Sequence, residues 1–112
     1  MEMVSKLQNG IKVIELNGSI DALSAGEVES YFNHEIDHKR DNVIMDLGRV
    51  DFMSSAGLRV IMTISKILRL NGGELRLAAA QPGVEKMLKI SGFMSILKTY
   101  PNVGAAADSF GS

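Results

Sequence analysis

Two histidines and a glutamate in residues 34–38, HEIDH, have the spacing of a zinc-hydrolase helix. In that motif the histidines bind the metal and the glutamate activates a water molecule. Here the apolar stripe of the predicted helix passes through Phe32 and Ile36. His34 and His38 each follow a stripe residue by two positions, about 200° around the helix, so both point outward. We therefore predict a solvated helix face, with no metal and no other cofactor.

A pair of serines, Ser54 and Ser55, precedes a second helical pattern. One serine suffices to cap a helix, which contributes about 1 kcal/mol. Gly57 in the first turn is unusual, because glycine costs ~1 kcal/mol relative to alanine in a helix and leaves the backbone open to close approach. A helix N-terminus favours a phosphate, and phosphoserine carries about −1.5 to −2 charges. Such a charge would be tolerated by the domain but would repel a docking protein, so this junction is a candidate interface switch.

Other catalytic arrangements are not visible in the chain. Cysteine is absent, which excludes disulfides, thiolate zinc sites and cysteine nucleophiles. Neither histidine can be assigned to a serine, so no Ser/His/Asp triad is visible. The pair Gly72-Gly73 follows a helical pattern instead of opening one, which predicts a turn and not a phosphate-binding loop. We therefore expect a protein that is not an enzyme.

Composition predicts one globular domain over residues 1–112. Twelve basic and 13 acidic residues give a net charge of −1, without the basic excess of direct nucleic-acid binders. The longest uncharged stretch is the nine residues from Thr99 to Ala107, whereas a membrane span needs about 20 apolar residues. The first residues do not resemble a secretory signal. We expect a cytoplasmic protein without a membrane span.

Apolar periodicity predicts alternating strands and helices after an opening hairpin at Asn9-Gly10. The predicted strands are Val4 to Leu7, Ile11 to Leu16, Val43 to Leu47, Glu74 to Ala79 and Ile96 to Lys98. The predicted helices are Ser24 to Lys39 with a Ser24/Glu27 capping box, Ser55 to the stop at Asn71, Pro82 to Gly92, and a last helix capped by Asn102. A loop is predicted from Gly48 to Met53. The order β-β-α-β-α-β-α-β-α predicts an α/β fold, with a mixed sheet of four to five strands and about four helices.

The segment VIMDLGRVDFMSSAGL at residues 43–58 resembles the signature of STAS domains, the sulphate-transporter and anti-sigma-factor-antagonist family. The similarity extends over essentially the whole chain and includes Leu16 to Asp21, Gly72-Gly73 and Val84 to Gly92. It implies the STAS fold. Stand-alone cytoplasmic members of the family are anti-sigma factor antagonists, so the resemblance implies that function here.

The resemblance also implies a phosphorylation cycle at Ser55. An unphosphorylated antagonist binds an anti-sigma factor that is itself a serine kinase, and a sigma factor is thereby freed. The kinase uses ATP to phosphorylate the serine, which breaks the complex, and a separate metal-dependent serine phosphatase resets it. An acidic residue that lies near the serine in the family maps to Asp21.

One position departs from the family pattern, since Ser54 stands where many members have aspartate. Ser54 is therefore either an alternative acceptor or the helix cap. Arg59, one turn on, either holds a phosphate, contacts the partner or is simply solvent-exposed. The expected partner-binding residues are Asp21, Ser54, Ser55, Ala56, Gly57 and Arg59.

Two alternatives stay open at this point. The first is a STAS accessory subunit that docks constitutively on an ATPase, such as a lipid-transport complex, without a phosphate cycle. The second is a small zinc hydrolase that uses His34 and His38.

Overall fold

The computed structural model describes residues 1–36 and 41–110, which form a five-stranded sheet and four α-helices. The strands are β1 (Glu2–Gln8), β2 (Ile11–Ile20), β3 (Asn42–Met53), β4 (Glu74–Ala78) and β5 (Lys98–Tyr100). The helices are α1 (Ala25–Glu35), α2 (Ser55–Leu70), α3 (Pro82–Ile90) and α4 (Val103–Phe110), with a 3-10 turn at Phe93–Ser95. The predicted fold class and element order are confirmed.

The strands lie in the sheet in chain order, from β1 to β5. β1 and β2 are antiparallel and are joined at Asn9-Gly10, whose φ angles of 53° and 79° suit a two-residue hairpin. The remaining neighbours are parallel, so their chain direction is the same. As a result the C-terminal ends of β2 and β3 lie side by side, where the loops leading to α1 and α2 begin.

The sheet is covered on both faces. Helices α1, α2 and α3 pack on one face, in a cluster whose largest fully buried side chains include Ile14, Met45, Phe32, Ile61, Ile64 and Leu88. On the other face, Ala106 and Ala107 of α4 pack against Val13 and Ile44. The cap predicted for α4 is present, because the Ala105 amide donates to Asn102 Oδ1 at 2.7 Å.

The longest helix in the described part of the chain is α2, with 16 residues. Its buried stripe consists of Leu58, Ile61, Ile64 and Leu68, as the apolar periodicity predicts. No helix within residues 1–36 and 41–110 combines the length and apolar character needed to cross a membrane.

Strands β2 and β3 are longer than predicted. The sequence predicts that the second strand ends at Leu16 and that Gly48 to Met53 form a loop, and both predictions are wrong. The two strands continue to pair as far as Ile20 and Met53, across two register shifts. These shifts interrupt the apolar alternation, so the sequence pattern stops before the backbone pairing does. The extra length places the end of β3 directly before Ser54.

Two other boundaries also differ from the prediction. Helix α1 ends at Glu35, since Ile36 is extended (φ −76°, ψ 116°) yet buried, and the rest of the predicted helix, residues 37–39, lies outside the described residues. The last strand begins at Lys98 and not at Ile96, because the Ile96 and Leu97 amides bond to the Phe93 carbonyl in a turn. In both places an apolar residue fits the pattern of the predicted element, but its backbone has a different conformation.

The predicted capping box at the start of α1 is wrong. The Ser24 hydroxyl donates to the Ser19 carbonyl at 2.7 Å and accepts from the Asp21 amide at 3.0 Å, so it does not cap the helix. The Glu27 carboxylate lies 3.4 Å from the Met1 amino group. Ser24 therefore braces the loop between β2 and α1 instead of satisfying the first turn of the helix.

Candidate functional site

The junction between β3 and α2 is held by Ser54. Its hydroxyl accepts a hydrogen bond from the Gly57 amide at 3.2 Å, which is the bond of an N-cap. Its own amide donates to the Ile20 carbonyl at 2.9 Å and so ties the junction to the end of β2. Ser54 is half-buried. Of the two serines, Ser54 is therefore the helix cap.

Ser55 is the first residue of α2 and is exposed. Among the described residues its hydroxyl forms no hydrogen bond. Ser55 lies on the border between two depressions. One, of about 410 Å³, is shared with Asp51, Phe52 and Met87. The other, of about 460 Å³, is the α2–α3 groove, lined by Ser55, Leu58, Arg59, Met62, Lys66, Met87, Ile90, Ser91 and Phe93. An enzyme or a docking protein can therefore reach this hydroxyl from solvent.

Gly57 is buried against the end of β2. A Cβ atom at this position would lie 2.7 Å from both Cγ2 and the carbonyl oxygen of Ile20, closer than any real contact. The close approach that the glycine permits is thus made by Ile20. Ala56, between Ser55 and Gly57, is half-buried. Gly57 therefore helps to position Ser55 by packing against Ile20. Because Gly57 is buried, the exposed surface here is formed by Ser55 and Ala56.

Arg59 lies one turn after Ser55 on α2 and is exposed. It lines the α2–α3 groove together with Lys66, which is also exposed. Within residues 1–36 and 41–110, neither side chain forms an ion pair. Both cations are therefore available to an anionic group that enters the groove.

Asp21 stabilises the loop that follows β2 through hydrogen bonds to its backbone. Its carboxylate accepts from the amides of Leu23 at 3.0 Å and Ser24 at 3.1 Å. The hydrogen bond from the Ser24 amide is the main reason that the pKa of Asp21 lies below its ordinary value, with partial desolvation opposing the shift. The loop adjoins the β3–α2 junction through the Ile20–Ser54 bond, but Asp21 and Ser55 line different depressions.

The contribution of the Asp21 charge to stability is expected to disappear in acid. Because the folded-state pKa is lowered from 3.8, the contribution is complete above the unfolded-state pKa and is lost as the pH falls through the folded-state value. We expect wild type to exceed Asp21→Asn in unfolding free energy at pH 7, and the difference to shrink below about pH 4. Urea denaturation across this pH range measures it, and a difference that is independent of pH would contradict the assignment.

Of the two histidines in the zinc-hydrolase alternative, only His34 lies within the described residues, and its position does not support a metal site. His34 is exposed on α1, on the solvated face that the apolar stripe predicts. Asp37 and His38 lie outside the described residues. The described residues contain no group of three or more histidine, aspartate or glutamate side chains able to hold a metal ion.

Several exposed apolar side chains were not identified from the sequence. Phe52 is 55 % exposed although it belongs to β3, and Leu23, in the loop before α1, is 94 % exposed. On α3, Ile90 is 72 % exposed at the edge of the α2–α3 groove. The signal for Ile90 was available, because it follows the buried Leu88 by two positions and so leaves the apolar stripe of its helix.

The chain thus combines a mixed five-stranded sheet with an exposed serine at the first position of α2. A family model described as STAS domain matches residues 2–106. BtrV of Bordetella bronchiseptica, a candidate anti-sigma factor antagonist, is 36 % identical over 110 residues, which are 98 % of this chain and 95 % of BtrV. The chain belongs to the STAS domain family.

Solved structures give the same fold. An anti-sigma factor antagonist from Mycobacterium paratuberculosis superposes with a TM-score of 0.87 at 20 % identity, covering 96 % of this chain and 92 % of that one. SpoIIAA, an anti-sigma factor antagonist of Bacillus, superposes in its unphosphorylated form with a TM-score of 0.79 at 19 % identity, over 99 % and 98 % of the two chains. Its phosphorylated form superposes with a TM-score of 0.68 at 18 % identity, covering 97 % of this chain and 99 % of that one. At these identities the agreement establishes a common fold.

Proposed function

We propose that this chain is an anti-sigma factor antagonist, a binding protein and not an enzyme, and that phosphorylation of Ser55 switches it off. In the unphosphorylated state it binds an anti-sigma factor, so that a sigma factor is released. The observation that carries the proposal is the exposed Ser55 hydroxyl at the first position of α2. The similarity to BtrV and the recorded phosphorylated form of SpoIIAA support it.

The fold can accommodate a phosphate at Ser55. The first turn of a helix presents unpaired amides and a partial positive charge, both of which favour an anion. Ser55 is exposed, so the phosphate would keep most of its hydration. Arg59, which forms no ion pair with the described residues, lies four positions further along the helix, the spacing at which side chains on one face meet. Phosphorylation should therefore leave the domain folded.

The structure favours Ser55 over Ser54 as the acceptor. Ser54 is half-buried, and its hydroxyl accepts the bond that caps α2. Transfer of a phosphoryl group to Ser54 would place a bulky dianion between the helix and the end of β2. A phosphate on Ser55, which is exposed, would not have to fit between these two elements.

A phosphate at Ser55 would disrupt a docked partner through charge and desolvation. The surface around the hydroxyl is largely apolar, with Phe52 more than half exposed and Met87 lining both depressions. A partner that covers this surface would have to remove water from a dianion, which is costly without a matching cation. The carboxylate of Asp51, in the depression on one side of Ser55, adds to the negative charge.

The proposal includes the enzymes of the cycle and the place where they act. The anti-sigma factor is a serine kinase that uses ATP, and a separate serine phosphatase removes the phosphate. The cycle operates in the cytoplasm, where sigma factors act. No direct contact with nucleic acid is proposed, since the net charge is −1.

Incubation with the anti-sigma kinase of the same organism and ATP tests the proposal by intact mass. We expect wild type and Ser54→Ala to gain one phosphate, and Ser55→Ala to gain none. Loss of the Ser54 cap costs about 1 kcal/mol, so that variant is expected to remain folded. Absence of phosphate on wild type with an active kinase would contradict the proposal. Stable binding to an ATPase without any phosphate would favour a constitutive accessory subunit instead.

A further inference from the structure

The α2–α3 groove combines an apolar floor with cationic groups. Five apolar side chains line it, namely Leu58, Met62, Met87, Ile90 and Phe93. Its volume is about 460 Å³, and it opens to solvent along Ile90. A concave apolar surface between two helices has the shape that accepts a third helix, and methionines adapt readily to such a partner.

The charges around the groove have one sign. Arg59 and Lys66 are its only charged lining residues in the part of the chain that the structure describes. They lie seven positions apart on α2, about 10 Å along the helix axis, with Met62 between them. Neither forms an ion pair with another described residue. The groove is therefore complementary to an apolar surface bordered by carboxylates.

We propose that the α2–α3 groove receives an amphipathic helix of the anti-sigma factor, whose apolar face fills the groove and whose acidic residues face Arg59 and Lys66. This inference rests on the proposed function and specifies the chemistry of its partner. The groove begins at Ser55, so it is continuous with the surface that phosphorylation is proposed to control. The partner surface thus extends along α2 and α3, beyond the β3–α2 junction.

This position gives the phosphate a second effect on binding. A phosphate on Ser55 stands at the end of the groove, where it repels the acidic residues of the docked helix. It also lies one turn from Arg59, which can then pair with the phosphate and no longer with the partner. The same arginine is counter-ion to the partner in one state and to the phosphate in the other.

The experiment measures binding of the anti-sigma factor to groove variants of the unphosphorylated protein by isothermal titration calorimetry. We expect Lys66→Glu and Ile90→Asp each to weaken binding by at least about tenfold, because one reverses a complementary charge and the other places a charge on the apolar edge of the groove. Both residues are exposed, so neither change disturbs the core. Circular dichroism and thermal unfolding verify that the variants are folded.

Two variants outside the groove are the controls. Leu70, the last residue of α2, is 87 % exposed and does not line the groove, so Leu70→Asp should bind like wild type. Lys6 pairs in register with Val13, whose side chain belongs to the α4 face, so Lys6→Glu changes a charge on the opposite face of the sheet. Equal losses in groove and control variants would overturn the proposal.

The remaining outcomes separate this inference from the proposed function. If phosphorylation of Ser55 releases the anti-sigma factor but Lys66→Glu and Ile90→Asp bind within twofold of wild type, the groove proposal is wrong and the switch stands. If wild type does not bind the anti-sigma factor in either state, the proposed function itself fails. If sedimentation shows a dimer that Ile90→Asp dissociates, the groove holds a second copy of this chain and the proposal is overturned.

Discussion

Ser55→Asp is expected to weaken binding to the anti-sigma factor by at least about 30-fold. The replacement puts a fixed negative charge where the partner covers an apolar surface and where Arg59 would otherwise pair with the partner, and we expect this to cost about 2 kcal/mol or more of binding free energy. The domain itself should tolerate the change, because an acidic residue in the first turn of a helix is stabilising by about 0.3–1 kcal/mol. Calorimetric titration measures the affinity, and urea denaturation the stability.

Ser55→Asn is the matched control for this prediction. Asparagine has nearly the size and shape of aspartate but carries no charge, so its affinity should stay within about threefold of that of wild type. If the aspartate variant bound as tightly as wild type and the asparagine variant, charge at Ser55 would not control the interface. Equal weakening by both would assign the effect to side-chain size.

Gly57→Ala is expected to destabilise the protein although it places a better helix former in α2. Alanine has the higher helix propensity by about 1 kcal/mol. The new Cβ atom, however, would lie 2.7 Å from the side chain and the carbonyl oxygen of Ile20. That carbonyl accepts the Ser54 amide, so it cannot move without disturbing the junction. Overpacking of this kind costs about 1–3 kcal/mol, which outweighs the gain in propensity and lowers the urea midpoint.

Gly26→Ala is the control for the steric argument. Gly26 lies in the first turn of α1, and a Cβ atom there would have no neighbour within 4 Å. The same substitution should therefore be neutral or stabilise the protein by up to about 1 kcal/mol. If Gly57→Ala raised the midpoint as Gly26→Ala does, the contact with Ile20 would not be the reason for a glycine at position 57.

The order of elements could be predicted because local signals mark most of their ends. Asn9-Gly10 forms the hairpin, Pro82 begins α3 and Asn102 caps α4, as predicted. The prediction failed where tertiary contacts determine the backbone. Strands β2 and β3 continue through bulges because each has the other as a partner, and this pairing leaves no regular apolar alternation.

The candidate site was located from the sequence, but its geometry was not. The two serines marked the junction, yet which hydroxyl caps α2 depends on the direction of the Gly57 amide. The glycine indicated a close approach without identifying Ile20, which lies 37 positions earlier in the chain. The α2–α3 groove is formed by two helices and the turn that follows, so only the packed structure brings Lys66 and Ile90 to one surface.

The affinity of the anti-sigma factor for this chain with and without one phosphate on Ser55 tests the central claim most directly. The phosphorylated protein is prepared with phosphoserine incorporated at position 55 during translation, so the measurement does not depend on the kinase. The account predicts tight binding of the unphosphorylated protein, and binding weaker by at least about 30-fold once the phosphate is present. Equal affinity of the two forms, both of them folded, would contradict it.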